Sequence, residues 1–224
     1  MTTKKKAVSS GRKPDRKRLE TGKVVLDISM SLDGFIAGKN DGPTNPLGDG
    51  GMRLHDWLWG NKPKRAGVAP GQGASGSNRE VIDELFSTTG AILTGRRTYD
   101  IVNGWGGSHP IQGVPIFVLS KYVPDKVPKG ASTFTFVADG IISIVKQAKA
   151  QAGGKNVYVL GGANIAQQCL GSGLLDEMQI HLVPVLLGDG VRLFDHIGVG
   201  QIELKRTRAI DSPGVSHLWF RVMK

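Results

Sequence analysis

The stretch Ile92-Leu93-Thr94-Gly95-Arg96-Arg97-Thr98-Tyr99 passes from a buried strand through one glycine into the start of a helix. The stretch Val157-Tyr158-Val159-Leu160-Gly161-Gly162-Ala163-Asn164-Ile165 repeats this order later in the chain. Strands that alternate with helices in this way are typical of a sheet whose central strands are parallel. The two stretches therefore predict an α/β fold.

The rest of the sequence extends this pattern. Further strands are predicted at residues 24–28, 115–120 and 133–137, and helices at 81–87, 141–152 and 164–170. The end of the chain is different, because three predicted strands there follow one another with no predicted helix between them; they lie at residues 177–187, 203–210 and 217–223. We expect them to form an antiparallel addition, so that the complete sheet is mixed but mostly parallel.

The charge of the chain is unevenly placed. Its 29 Lys and Arg exceed its 19 Asp and Glu, a net charge of +10, and residues 1–20 alone hold eight basic and two acidic residues. This segment therefore accounts for +6, and the other 204 residues for only +4. We predict a basic disordered tail at residues 1–22 and a single domain at 23–224. The body shows no recognised nucleic-acid-binding motif, so nucleic acid is not the expected partner.

Several classes of protein are excluded by composition. No apolar run reaches the roughly 18 residues needed to span a bilayer, and no apolar segment typical of a secretory signal follows the charged N-terminus. Cys169 is the only cysteine, and the five histidines are scattered without metal-ligand spacing. We therefore expect a cytoplasmic protein with no membrane association, no internal disulfide and no bound metal.

Both strand–glycine–helix junctions favour an anionic ligand. The first N–H groups of a helix lack backbone partners, and the helix dipole is positive at that end. Glycine allows a phosphate to approach closely because it has no Cβ. Arg96 and Arg97 add two permanent charges that suit phosphate oxygens. The G-x-G-x-x-G and Walker A signatures are both absent, so these residues indicate a phosphate-bearing ligand without identifying it.

Three more motifs accompany the two junctions, in a fixed order along residues 23–224. They are Met30-Ser31-Leu32-Asp33-Gly34-Phe35-Ile36-Ala37, Val118-Leu119-Ser120-Lys121 and Val183-Pro184-Val185-Leu186-Leu187-Gly188-Asp189-Gly190. With these motifs the chain resembles the dihydrofolate reductase-like superfamily, and most closely the C-terminal reductase domain of riboflavin-biosynthesis enzymes. The resemblance implies a three-layer α/β/α fold and an NADPH-dependent reductase. The zinc deaminase motifs of the bifunctional enzymes are absent, so deamination is not expected.

The resemblance also implies where NADPH binds. The residues that would hold the cofactor phosphates are Gly95, Arg96, Arg97 and Thr98, with Ser120 and Lys121 on the adenosine 2′-phosphate side. The residues that would meet the pyrophosphate are Gly161, Gly162, Ala163, Asn164 and Ile165. The backbone of Ile36 and Ala37 would face the nicotinamide amide.

Reduction of a C=O or C=N group requires a proton as well as a hydride. Asp33 lies at the bend of the first strand, near the expected nicotinamide, and Asp56 lies where dihydrofolate reductases carry a carboxylate on a helix. Both are candidate catalytic residues, with a turn former and a surface helix residue as the respective alternatives. Candidate substrate-binding residues are Trp57, Trp105 and His181, for which structural roles in the core or in a loop are the alternative.

These features predict a reductase that transfers hydride from NADPH to a C=O or C=N of a small heterocyclic or ribosylamino-pyrimidine-like substrate. The closest named activity is that of 5-amino-6-(5-phosphoribosylamino)uracil reductase. Dihydrofolate or pterin reduction stays open, as does nucleic-acid binding through the tail. The glycine-rich stretch 60–77 lies where substrate should enter, which leaves the substrate's identity open. We also expect a homodimer, because reductase domains of this type pair in the region of 177–187 and 217–223.

Overall fold

The computed structural model of the chain describes residues 22–60, 71–198 and 200–224. Within these ranges the strands are β1 (Val24–Ser31), β2 (Phe35–Ala37), β3 (Thr89–Gly95), β4 (Ile116–Leu119), β5 (Phe134–Val137), β6 (Asn156–Leu160), β7 (Glu177–Val183), β8 (Val191–Arg192), β9 (Leu204–Ser212) and β10 (Val215–Val222). The helices are α1 (Asp56–Trp59), α2 (Gly76–Thr88), α3 (Arg96–Ile101), α4 (Gly140–Gln151) and α5 (Ala163–Gly171). Short 3₁₀ segments cover Gly51–His55 and Asn103–Gly107.

Eight strands form one sheet in the order β5-β4-β3-β6-β1-β7-β10-β9, and β2 pairs with β8 beside it. Each neighbouring pair from β5 to β7 is parallel. In contrast, β10 is antiparallel to both β7 and β9. The predicted mixed, mostly parallel sheet with antiparallel C-terminal strands is therefore confirmed.

Helices cover both faces of the sheet, which confirms the three-layer arrangement. On one face α4 and α5 pack against apolar side chains such as Leu93 of β3. The adjacent residue Ile92 points to the opposite face, where Tyr99 of α3 joins its cluster. Trp57 of α1 and Val81 of α2 pack on that same second face, farther along the sheet. The alternation follows from the two-residue period of a strand.

Several predicted boundaries differ from the structure by a few residues, and two of the differences have a clear physical reason. The strand predicted at 177–187 ends at Val183, because Pro184 has no N–H with which to continue a ladder. The helix predicted at 81–87 already begins at Gly76. Its first turn is polar, so apolar periodicity alone does not reveal it.

The central strand β1 is amphipathic, and this positions the site. Leu26 belongs to the main apolar cluster on the α4–α5 side, against which Ile28 and Met30 pack. The alternate residues Asp27 and Ser29 are polar, yet they too are buried. Such burial requires polar partners on neighbouring strands and helices.

Some predictions fall outside the described residues. The basic tail predicted at 1–22 lies outside them apart from Gly22, and so do residues 61–70 of the glycine-rich stretch. Among the described residues, no helix has both the length and the apolar character needed to cross a membrane. The same residues contain no group of three or more His, Cys, Asp or Glu arranged to hold a metal ion.

Candidate functional site

A cavity of about 1050 Å³ lies where β3 and β6 end. These strands are parallel neighbours in the sheet, so their glycine junctions at Gly95 and Gly161 reach the same edge. Ligands of open α/β sheets bind at the carboxyl ends of strands. The volume is at the upper end of the roughly 300–1,000 Å³ typical of small-molecule sites.

The cavity brings together residues that are far apart in sequence. All thirteen residues with a predicted cofactor role line it: Ile36, Ala37, Gly95, Arg96, Arg97, Thr98, Ser120, Lys121, Gly161, Gly162, Ala163, Asn164 and Ile165. The three candidate substrate residues, Trp57, Trp105 and His181, line it as well. The two candidate carboxylates, Asp33 and Asp56, are not among its lining residues.

The two glycine junctions are in direct contact. A Cβ placed on Gly161 would lie 2.9 Å from Thr98 Cγ2, and one on Gly162 would lie 3.1 Å from Thr98 Oγ1. Both glycines have positive φ, +83° and +82°. Only glycine adopts such a backbone at this separation without strain. The turn after β6 is therefore held against α3, and the start of α5 faces the cavity.

Arg96 is anchored on three sides. Its Nε donates to the Asp100 carboxylate at 2.8 Å, and one terminal nitrogen donates to Ser120 Oγ at 3.2 Å and to the Tyr122 carbonyl at 3.0 Å. These contacts tie the start of α3 to the end of β4. The guanidinium is thereby fixed at the cavity wall with little freedom to move.

Arg97 is bound to the loop that contains Asp41, a residue for which the sequence predicted no role. Its terminal nitrogen donates to Asp41 Oδ1 at 2.7 Å and to the Asp41 carbonyl at 3.1 Å. This hydrogen-bonded ion pair raises the pKa of Arg97 above its usual range. Asp41 also lines the cavity, which therefore has an acidic group directly beside its predicted phosphate ligands.

Asp33 has a structural role in this arrangement. Its carboxylate accepts a hydrogen bond from Ser31 Oγ and from the backbone N–H groups of Leu187 and Gly188. The Ser31 bond and the two backbone bonds keep the pKa of Asp33 below its usual range, so it stays ionised at neutral pH. The carboxylate holds the loop after β7 in place, and its position does not support the catalytic role predicted for it.

Asp56 also lies away from the cavity. Its Oδ2 is 3.2 Å from a terminal nitrogen of Arg53, and both side chains are partly exposed. The next residue, Trp57, is the one that enters the cavity wall. A four-residue helix places consecutive side chains in different directions, so the predicted catalytic role of Asp56 finds no support in its location.

Trp57 covers a pair of buried histidines. Its Nε1 donates to Ser29 Oγ at 3.0 Å, and its ring centroid lies 4.6 Å from that of His181 and 4.9 Å from that of His217. Trp57 is only 5 % exposed. It therefore serves both as a core residue and as part of the cavity wall.

The histidines belong to a chain of four polar side chains. Asp27 Oδ2 lies 3.2 Å from His181 Nε2, His181 Nδ1 lies 2.7 Å from His217 Nδ1, and His217 Nε2 lies 2.8 Å from Asn78 Oδ1. Burial, and next the charge of His181, lower the pKa of His217 to about 3, so His217 is neutral. His181 was predicted as a substrate-binding residue, whereas no role was predicted for Asp27, which lines the cavity with it.

Trp105 and His109 form a separate part of the wall. Trp105 has a positive φ of +52°, and its ring meets the His109 ring edge-on at 4.6 Å. The Ile111 N–H donates to His109 Nδ1 at 3.0 Å. Burial lowers the pKa of His109 to about 4. An uncharged His109 and an irregular turn thus support Trp105 where it lines the cavity.

Comparisons with known proteins identify the family of the chain. The model of the RibD C-terminal domain family matches residues 22–215. The Bacillus subtilis protein YwjB, which is uncharacterised, is 28% identical over 187 residues, covering 83% of this chain and 91% of YwjB.

Two solved structures share the fold. One is a Shewanella sp. PV-4 protein whose name assigns it provisionally to riboflavin biosynthesis; it has a TM-score of 0.63 and 23% identity, over 90% of this chain and 99% of that one. The other is dihydrofolate reductase from Enterococcus faecalis in complex with NADP(H), with a TM-score of 0.52 and 9% identity, over 91% and 98% of the two chains. The family match spans nearly the whole described domain, and the chain belongs to the RibD C-terminal domain family.

Proposed function

We propose that this chain is a reductase that transfers hydride from NADPH to a C=O or C=N group of a small heterocyclic or ribosylamino-pyrimidine-like substrate. One observation carries the proposal: a single cavity joins two glycine junctions, a fixed arginine and an aromatic wall. The family relationship supports the same reading, as does the NADP(H) bound by the Enterococcus enzyme of similar fold.

The phosphate end of the site is suited to a dinucleotide. The N-terminus of the nine-residue helix α5 follows the Gly161-Gly162 turn, where two residues without Cβ leave the backbone accessible. Arg96 is already oriented by Asp100 and Ser120, so little side-chain entropy would be lost when a phosphate binds. Ser120 and Lys121 lie at the end of β4 in the same wall, suited to a 2′-phosphate.

The other end of the cavity is suited to a planar acceptor. The backbone of β2 at Ile36 and Ala37 lies beside aromatic and apolar side chains that include Trp57, Trp105 and Phe86. When bound there, NADPH would supply the hydride, and the protein's task is alignment of the two partners and exclusion of water. Flat aromatic walls favour stacking of a heterocycle.

Titration of the purified chain with NADPH and NADH, followed by nicotinamide fluorescence, tests this proposal. We expect NADPH to bind more tightly than NADH, and the double variant Arg96→Ala/Arg97→Ala to weaken NADPH binding by tenfold or more, since each phosphate contact contributes about 1 kcal/mol or more. Arg79→Ala removes a surface arginine that pairs with Asp83 of its own helix and with the Gly71 carbonyl, does not line the cavity, and serves as the control. Failure to bind NADPH, or equal binding by the double variant, would contradict the proposal.

A further inference from the structure

The buried chain Asp27–His181–His217–Asn78 restricts where its protons can lie. With the Asn78 amide oriented so that its Oδ1 faces His217 Nε2 at 2.8 Å, that oxygen can only accept, so His217 Nε2 carries the proton and donates it. His217 is neutral, and its Nδ1 is therefore an acceptor. Because that nitrogen lies 2.7 Å from His181 Nδ1, the His181 atom must be the donor.

This assignment of donors and acceptors leaves the contact between His181 and Asp27 to be explained. His181 Nε2 lies 3.2 Å from Asp27 Oδ2, and two lone pairs facing each other at that distance would repel. A proton must therefore lie between the two atoms, either on the carboxyl group or on the imidazole. In both cases the Asp27–His181 pair is neutral overall and holds one proton that can leave. A neutral pair suits a site where Asp27 is 9 % exposed and His181 only 1 %.

The neighbours of the pair support this assignment. The Gln179 amide satisfies both of its partners when its nitrogen donates to Asp27 Oδ2 at 2.9 Å and its oxygen accepts from Trp219 Nε1 at 3.2 Å. Arg208 of β9 stacks on the Trp219 ring and pairs with Glu84 at 2.6 Å. Its charge is thus offset near the surface and does not neutralise Asp27.

The pair is also placed for chemistry. Asp27, Ser29 and His181 line the same cavity as Ile36 and Ala37, against which the nicotinamide is proposed to lie. Neither Asp33 nor Asp56 lines that cavity, so the carboxylates predicted from sequence do not meet this need. Asp27 is the carboxylate that belongs to a proton-holding pair there.

We propose that the Asp27–His181 pair supplies the proton of the reduction, an inference that rests on the proposed function. When bound, NADPH would supply the hydride for the new C–H bond and would itself be oxidised to NADP⁺, while the π electrons of the C=O or C=N would move to the oxygen or nitrogen. That atom takes the proton of the pair, which is left as a carboxylate and a neutral imidazole. Solvent would return one proton to the pair after the product leaves.

The first test locates the protons on the histidine nitrogens by ¹⁵N NMR spectroscopy and needs no turnover. The full chain is labelled with ¹⁵N-histidine. Variants that replace one histidine at a time with Gln show which signal belongs to which histidine. We expect His217 to have a protonated Nε2 and an unprotonated Nδ1. We expect His181 to have a protonated Nδ1 and an Nε2 that shares a proton with the Asp27 carboxyl group. In Asp27→Asn, the amide can donate to His181 Nε2, which should become a bare acceptor. A neutral His181 with a bare Nδ1 in the unsubstituted chain would overturn the assignment.

The second test separates proton delivery from hydride delivery. In single-turnover oxidation of NADPH, 3,4-dihydroisoquinoline, at a pH where the free imine is neutral, needs a proton. N-methyl-3,4-dihydroisoquinolinium, of similar shape and already cationic, needs none. We expect Asp27→Asn to slow the first reaction by about 10²–10⁴-fold and to leave the second unchanged. Asp83→Asn, a surface carboxylate paired with Arg79, is the matched control and should change neither rate.

The outcomes distinguish the two proposals. Equal slowing of both reactions, or no slowing of the first, would overturn the proton role of the pair while leaving the reductase intact. If the unsubstituted chain binds no NADPH and oxidises none with either probe, the proposed function itself is contradicted. The nitrogen spectra then decide the proton assignment on their own.

Discussion

Thr98 of α3 lies directly against Gly161 of the turn after β6, with its Cγ2 2.9 Å from the position that a Cβ on Gly161 would occupy. The contact joins the two junctions that form the predicted phosphate end of the cavity. Neither junction can shift without moving the other. The spacing of the proposed phosphate ligands is therefore set by this packing contact as much as by the arginines.

Gly161→Ala tests that contact. The new methyl group would meet Thr98 and would also require a positive φ of +83°. We expect a loss of about 1–3 kcal/mol in stability and weakening of NADPH binding by about tenfold, because the turn must move away from α3. Urea unfolding and NADPH titration measure the two effects.

Gly154→Ala is the matched control for this substitution. Gly154 has the same φ of +83° but no atom within 4 Å of an added Cβ. Gly154→Ala should therefore lose the stability that a positive φ costs an alanine, without any change in NADPH affinity. If both variants affect NADPH binding equally, the contact with Thr98 does not set the site.

Asp41→Asn should strengthen NADPH binding. Asp41 places a negative charge on Arg97, which is predicted to meet phosphate, whereas its backbone carbonyl would still accept from Arg97 after the substitution. Asp41 is partly buried but pairs with an exposed arginine, and removing one charge from such a pair is worth about 0.2–1 kcal/mol, or up to roughly fivefold in the dissociation constant. Calorimetric titration at low and high salt measures the gain, which should shrink with salt. Weaker binding by the variant would contradict this account.

Acid should destabilise the fold partly through His109. Its pKa is lowered from 6.5 to about 4, so the unfolded chain binds this proton more readily than the folded chain. The stabilisation is present above pH 6.5 and is lost as the pH falls toward 4. Between pH 7.5 and 5 we expect His109 to account for about 2 kcal/mol.

His109→Asn isolates this contribution. Asparagine can accept from the Ile111 N–H in place of His109 Nδ1, but it does not titrate. The variant should therefore lose less stability than the unsubstituted chain between these two pH values, as measured by urea midpoints. An identical loss in both proteins would show that His109 does not contribute.

Cys169 should resist thiol reagents while the chain is folded. It is fully buried in α5, and burial raises the pKa of its thiol to about 12. At pH 8 almost no thiolate forms, and the thiolate is the reactive species. A disulfide reagent should label Cys169 in urea but not in buffer, and rapid labelling in buffer would contradict the packing described for α5.

Local patterns account for what the sequence predicted well. The strand predicted at 156–160 matches β6, because an apolar run ending in Gly161-Gly162 is decided by neighbouring residues. The residues predicted to hold a cofactor also cluster in short motifs and line one cavity, and their cofactor role stays a prediction. The bend at Asp33-Gly34 was also predicted, and Gly34 has a positive φ of +89°.

Long-range partners account for what the sequence did not reveal. Asp27 and His181 are 154 residues apart and meet only because β1 and β7 are neighbours in the sheet. The one available signal was a polar residue within each of two apolar strands. Asp33 was predicted as catalytic from its place in the first strand, but its partner Gly188 lies 155 residues away. The homodimer, the cytoplasmic location and the substrate stay predictions.

The crystal structure of the chain with NADP⁺ tests the central claim most directly. We predict the pyrophosphate at the Gly161-Gly162 turn, the 2′-phosphate near Ser120 and Lys121, and the nicotinamide against the backbone of Ala37, with its C4 facing the space beside Asp27. A dinucleotide bound elsewhere on the chain, or a nicotinamide turned away from Asp27, would contradict the account.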